Sequence, residues 1–143
     1  MNHIVRELDV RYKSTEYVKE VISSPRDVFI FLKDKYSDDT QENFLVLCLN
    51  NKNHVSGWSA ISKGTASETI VHPREVFKHA ILSNSSSVIV AHNHPSGILS
   101  PSPDDIHTTH RLVESGKILG IPVIDHIIFC TNYLSMKEEG YIQ

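Results

Sequence analysis

Apolar positions recur along the chain with two different periods, and the changes of period mark the elements. From His3 to Tyr12, the apolar residues Ile4, Val5, Leu8, Val10 and Tyr12 alternate with charged ones over the second half, which predicts an opening strand of half-buried type. Ser24-Pro25-Arg26-Asp27 has the form of a helix start: a capping hydroxyl, a proline at the first helical position and an acid three residues after the cap. The helix runs to about Tyr36, with Val28, Phe29, Phe31 and Leu32 on its buried side. Asp38 to Glu42 reads as a polar turn. Phe44 to Leu49 is an unbroken apolar run of strand length, as a strand covered on both faces requires. Asn50 to Asn53 turns the chain, and His54 to Lys63 returns with Val55, Gly57, Ser59 and Ile61 on one side, so the two strands form a hairpin.

Pro73 opens a second helix, through about Ser83, in which Val76, Phe77, Ala80 and Ile81 recur at helical spacing. Val88 to Ala91 is a short buried strand. Ser102-Pro103-Asp104-Asp105 repeats the cap, proline and acid signature and starts a third helix that ends near Gly116 or Gly120. Ile121 to Thr131 is the last long strand, and Tyr133 to Met136 pairs with it. Strands interleaved with helices predict an α/β fold, a mixed β-sheet with helices packed on it. The 143 residues, 1–143, fit one domain of ordinary size, with no repeat and no linker to divide them.

Composition narrows the function classes. Apolar residues make up 40% of the chain and charged ones 22%, enough apolar surface for a core and too little charge for a disordered tail. The formal net charge of -3 gives no global positive field, so nucleic-acid binding is not supported by charge. No apolar stretch approaches the roughly 20 residues of a membrane helix, and Met1 to Glu7 lacks a signal-like apolar segment. A cytoplasmic, non-membrane protein is expected. Cys48 and Cys130 lie inside apolar runs without CxxC spacing, where a thiol acts as a small hydrophobe. The nine histidines are an excess, and their placement decides what they mean.

The informative stretch is Ala91 to Asp105. His92 and His94 are two apart at the end of a predicted strand, so their rings project to one face. Pro95 pushes His94 toward the extended region and so continues the strand. After a Pro, Ser and Gly loop, Ser102 as N-cap and Asp105 in the first helical turn bring a hydroxyl and a carboxylate to the same place. Two imidazoles and a carboxylate are borderline donors of the kind zinc prefers, with a fourth position for water, and bound metal makes that water a nucleophile at neutral pH. A general base is also required, an acid that is not itself a ligand, and Glu42 at the head of the central strand is the best placed by sequence. A Glu at the head of a strand is commonly just solvated, a first-turn Asp104 competes with Asp105, and Ser102 needs no role beyond capping. His107 and His110 read as surface groups, Asp125-His126 as a hydrogen-bonded core pair, and His3, His54, His72 and His79 as ordinary.

His92-x-His94-Pro95, followed by Ser102 and Asp105, resembles the JAMM motif of the JAB1/MPN metalloprotease superfamily. The closer resemblance is to its RadC-like branch, on His92-Asn93-His94-Pro95-Ser96-Gly97, Pro101-Ser102, Asp105, Asp125-His126-Ile127-Ile128 and Tyr133-x-Ser135. Glu42-Asn43-Phe44, Gly64-Thr65 and His72-Pro73-Arg74-Glu75 are similar to that branch as well. The resemblance runs from about Pro25 to the C-terminus, a core of about 25–143. It implies a mixed β-sheet sandwiched by helices, of the cytidine-deaminase-like kind. It also implies one zinc ion held by His92, His94 and Asp105, with Glu42 as the base on the water and Ser102 at the oxyanion. Longer relatives carry an N-terminal helix-hairpin-helix region, which this sequence is expected to lack.

The leading expectation is a zinc-dependent hydrolase, a metallopeptidase or isopeptidase acting on a peptide or protein substrate. The alternative is a DNA repair-associated, DNA-binding or scaffold protein that uses the same fold without peptidase activity. The adjacent His92-Asn93-His94 does not match a nuclease that scatters its His, Asn and His over a ββα unit. A zinc deaminase would need an H-x-E and P-C-x-x-C signature that the sequence lacks. Neither the particular substrate nor the oligomeric state is legible in the residues.

Overall fold

Among the described residues, three helices and five strands follow one another in the order α1 (Pro25–Tyr36), β1 (Glu42–Leu49), β2 (Val55–Gly64), α2 (Pro73–Leu82), β3 (Ser87–Asn93), α3 (Pro103–Leu119), β4 (Val123–Phe129) and β5 (Tyr133–Ser135). The computed structural model describes residues 1–14, 21–36, 39–64 and 71–143. Asp38 of the polar turn and Thr65 of the Gly64-Thr65 pair lie outside the described residues.

The strands form one sheet in the order β2-β1-β3-β4-β5, antiparallel throughout except for the parallel pair β3 and β4. A parallel pair needs a crossover, and α3 supplies it. The apolar run of β1 is buried at every position and feeds two cores by alternation. Phe44, Val46 and Cys48 pack with Val76, Phe77, Ala80 and Leu112 under α2 and α3. Leu45, Leu47 and Leu49 pack with Val28 and Leu32 under α1. The sheet is therefore sandwiched, with α1 on one face and α2 and α3 on the other, as the mixed α/β reading anticipates.

Local chemistry accounts for the helix ends. Ser24 caps α1, with its N–H donating to Asp27 Oδ2 at 3.1 Å while its Oγ accepts from the Asp27 N–H at 3.4 Å. At the end of α3, Gly120 takes φ +71°, the Gly120 N–H bonds to the carbonyl of Lys117, and the Ile121 N–H bonds to that of Gly116. This is the Schellman arrangement, and it places the stop at Gly120 rather than Gly116.

Some expectations are corrected. Residues 1–14 form no strand and are exposed throughout, because no sheet edge among the described residues pairs with them and an unpaired strand leaves its backbone groups to water. Among the described residues, the Tyr12 hydroxyl ties this segment to the body by donating to the carbonyl of Leu82. Glu42 belongs to β1, paired with Gly64, and not to the preceding turn. Ile81 is 52% exposed, since only Val76, Phe77 and Ala80 of α2 reach the sheet. β4 starts at Val123, two residues later than expected, because the Gly120 turn and Pro122, which has no N–H to donate, occupy the approach.

Candidate metal centre

The site forms where β1 begins and β3 ends. Phe44 pairs with His92 across the two strands, so the even-numbered side chains Glu42, Phe44, His92 and His94 share the face covered by α3. The His94 N–H still bonds to the carbonyl of Phe129 at 2.8 Å, which carries the strand geometry one residue past β3. The loop then turns at Gly97, φ +83°, where the Gly97 N–H reaches the His94 carbonyl. This turn lays the Ile98 carbonyl 2.6 Å from His94 Nδ1. A carbonyl only accepts, so His94 carries a proton on Nδ1, and the neutral form of the ring presents Nε2 as a lone pair.

α3 delivers the carboxylate. Ser102 and Asp105 form a reciprocal capping box, with Asp105 N–H to Ser102 Oγ at 3.0 Å and Ser102 N–H to Asp105 Oδ2 at 2.8 Å. Asp105 is thereby aimed at the histidines: Oδ1 lies 3.3 Å from His92 Nε2 and Oδ2 lies 3.3 Å from His94 Nε2. The two Nε2 atoms are 2.8 Å apart, and Glu42 Oε1 is 3.7 Å from His92 Nε2. Ligand atoms of Glu42, His92, His94 and Asp105 all fall within 4.8 Å of one another. Asp104 is exposed and lies outside this group.

The donor set fits a divalent cation. Ligands at about 2.0–2.1 Å around a tetrahedral ion are separated by about 3.4 Å, close to the spacing of Asp105 from both rings. Two imidazole nitrogens face one another beside two carboxylates, so the centre calls for positive charge, either a proton or a metal ion. Burial by itself would push the Asp105 carboxyl up, but the His92 and His94 rings that face it and the hydrogen bond from the Ser102 N–H hold it below the usual carboxylate range. Burial opposes charge on His94 too, yet the Asp105 carboxylate, the Ile98 carbonyl and Glu42 together raise its imidazole above the ordinary value.

In front of the cluster lies a hollow of about 400 Å³ bordered by Thr40, Glu42, Gly64, His94, Ser102 and Asp105. Ser102 is exposed there, and because its Oγ accepts from Asp105, its hydroxyl proton is free to donate outward. A larger hollow of about 660 Å³, between the start of α1 and the Asp125 and Ser135 region, shares none of the four clustered side chains.

Asp125 and His126 are buried, and the His126 backbone N–H donates to Asp125 Oδ1 at 2.7 Å, but the two side chains find further partners on opposite faces of β4. Asp125 accepts from Ser135 Oγ at 2.5 Å and from the Lys137 N–H at 3.1 Å. His126 Nε2 lies 2.7 Å from His92 Nδ1, and its Nδ1 lies 2.6 Å from Thr109 Oγ1. Burial keeps the His126 imidazole well below the ordinary histidine value, so the ring is neutral. The sequence does not mark Thr109, and its signal for His126 is a polar residue inside an apolar strand, which must find a partner. His107 and His110 are exposed on α3, as their spacing suggests.

The sequence as a whole agrees with this geometry. Residues 22–141 match the family model described as a RadC-like JAB domain. A UPF0758 protein of Staphylococcus haemolyticus is 49% identical over 137 residues, 94% of this chain and 60% of that protein. A UPF0758 protein of Methanosarcina barkeri is 46% identical over 129 residues, 90% of this chain and 56% of the relative. The chain thus spans less than two thirds of the length of these relatives. Among the described residues, no helix is long and apolar enough to cross a membrane. With the family match extending over both strands and the helix that build the cluster, the chain belongs to the RadC-like JAB domain family.

Proposed function

We propose that the chain is a zinc-dependent hydrolase of amide bonds, a metallopeptidase or isopeptidase that works in the cytoplasm on peptide or protein substrates. The single observation that carries this reading is the convergence of two ring nitrogens, one carboxylate and Glu42 at the edge of an open hollow. His92, His94 and Asp105 are the ligands in this reading. Their mixed imidazole and carboxylate chemistry, without thiolate, suits zinc at a catalytic site with an open position. A zinc ion there supplies a Lewis acid and activates water at neutral pH.

The protein groups carry the remaining work. Glu42 is 6% exposed and stands at the mouth of the hollow, where its carboxylate takes the proton from the attacking water and passes it to the leaving amine. The Ser102 hydroxyl donates to the carbonyl oxygen as negative charge develops on it, while its lone pairs continue to cap α3. Gly64, at the end of β2, borders the same hollow, so substrate passes between the β2 end and the His94–Ser102 loop.

Elemental analysis of the purified chain, paired with a peptide-library cleavage screen, tests site and reaction together. Close to one zinc per chain is expected, and His92→Ala or His94→Ala abolishes it. Glu42→Gln leaves zinc in place and lowers turnover by about 10²- to 10⁴-fold, the usual contribution of a general base. Loss of zinc in Glu42→Gln would show that Glu42 is a ligand and not the base.

A further inference from the structure

Thr109 on α3 and His126 on β4 are fully buried and meet 2.6 Å apart behind the cluster, and the other nitrogen of His126 lies 2.7 Å from His92 Nδ1. We propose that this pair is a positioning device: the order of its hydrogen bonds fixes His92 in the Nδ1–H form and turns the His92 Nε2 lone pair into the centre. The inference rests on the reading of that centre as a metal site.

The proton order follows from counting donors. The Asp105 carbonyl, 2.7 Å from Thr109 Oγ1, can only accept, so the single hydroxyl proton of Thr109 is committed to it. Met136 Sδ, at 3.4 Å, is a weak acceptor for the same proton and imposes the same order. Thr109 Oγ1 therefore accepts from His126, which carries its proton on Nδ1. A neutral imidazole has one N–H, so His126 Nε2 is a lone pair, and the contact with His92 is made by the His92 Nδ1–H. His92 Nε2 is then bare where it faces His94, Asp105 and Glu42.

The reverse order has two faults. It removes the Thr109 bond from the Asp105 carbonyl, and it places an N–H on His92 Nε2, aimed where a cation would sit. Ligating histidines generally have the second nitrogen fixed by a partner that selects the tautomer. Here the partner is another imidazole, which could serve in either direction, and Thr109 removes that ambiguity. Phe44 stacks on His92 at 5.9 Å and meets His126 edge-on at 5.4 Å, so neither ring is free to flip.

The test uses the full chain with ¹⁵N-labelled histidine, metal-free and at mildly alkaline pH. Two-bond ¹H–¹⁵N correlation spectra should show His92 and His126 both protonated at Nδ1; a His92 protonated at Nε2 overturns the proposal without any variant. Thr109→Val keeps the side-chain shape and removes the hydroxyl. It should scramble the two tautomers and weaken Co²⁺ binding, read by chelator competition, by about 10- to 100-fold. Thr109→Ser should restore both readouts, which a merely space-filling role for Thr109 would not produce. Unchanged Co²⁺ affinity in folded Thr109→Val overturns the proposal. A wild-type chain that binds no Co²⁺ sinks the metal reading instead, and the tautomer spectrum then decides the proton order by itself.

Discussion

Asn93 Oδ1 accepts the backbone N–H of Asn43 at 2.6 Å, and the Asn93 amide donates to the carbonyl of Gln41 at 2.8 Å. The side chain thus grips β1 on either side of Glu42 in sequence. It does so just past the Phe44–His92 pairing, the last in the β1–β3 register at this end. By strand alternation Asn93 points away from the face that carries His92 and His94, so the three adjacent residues divide the work: two face the cluster and one holds the acid's strand.

Asn93→Leu should therefore separate positioning from ligation. The buried Asn43 N–H loses its acceptor, which costs about 1–3 kcal/mol for a group left unsatisfied and should show in a urea melt, while the Gln41 carbonyl keeps the Asn43 amide as a donor at 3.1 Å. Zinc content should stay near the wild-type level, because His92, His94 and Asp105 keep their own supports. Turnover should fall by about 10- to 100-fold as the Glu42 strand loosens. If zinc falls in step with turnover, Asn93 acts on the ligands and not on Glu42.

Metal binding should compete with a proton. In the metal-free cluster the His94 imidazole is raised above the ordinary value of 6.5, chiefly by Asp105 acting against burial, while Asp105 is depressed and stays ionised. A raised imidazole holds its proton to a higher pH, so below that pH an incoming cation must displace it. Zinc affinity should then be fully developed only above the raised His94 value and should fall as pH drops through it, while Asp105 adds no proton competition in the neutral range. Calorimetry in buffers of different ionisation enthalpy should count about one proton released per ion at neutral pH. Binding without proton release would mean that His94 is already neutral.

The fold and most of the site are legible in the sequence because each part has a local cause. Ser24-Pro25 and Ser102-Pro103 specify two helix starts through caps that the structure realises, and the unbroken Phe44 to Leu49 run specifies a strand covered on both faces. The His92, His94 and Asp105 grouping needs only strand period, a proline and a cap. What is not legible depends on contacts between distant segments. The His3 to Tyr12 alternation is present, but a strand requires an edge to pair with, and no local pattern reports whether one is free. His126 supports His92 across 34 positions of sequence, and Asn93 meets Asn43 across 50, so neither role could be read from neighbours in the chain.

Ser102 caps α3, and different substitutions can divide that role from the proposed donation to the oxyanion. Ser102→Ala removes both the cap and the hydroxyl donor, so about 1 kcal/mol of stability is lost and Asp105 loses part of its aim. Ser102→Asp keeps an oxygen to accept from the Asp105 N–H and removes the outward O–H. The aspartate variant should recover the thermal stability of wild type, yet remain about 10²- to 10³-fold slow, the usual cost of losing an oxyanion donor. Recovery of turnover along with stability would restrict Ser102 to capping.

Gly116 is required by a close approach and not by backbone conformation. A Cβ built there would lie 2.5 Å from the Ile121 carbonyl oxygen and 3.4 Å from the Val123 nitrogen, both backbone atoms that cannot turn aside. In an open helix interior, Gly→Ala gains about 1 kcal/mol, but overpacking of a rigid contact costs typically about 1–3 kcal/mol. Gly116→Ala should therefore be destabilised, with a lower denaturation midpoint, and the strain should push the C-terminal part of α3 away from β4. Asp105 lies eleven residues earlier, about 16 Å along the helix, and is anchored by the Ser102 capping box. Zinc affinity should accordingly stay within about threefold of wild type, since a metal-bound α3 start is held by its own ligand and cap. A stabilised Gly116→Ala would contradict the close α3–β4 packing, and a large loss of zinc would show that α3 transmits displacement from its far end to the centre.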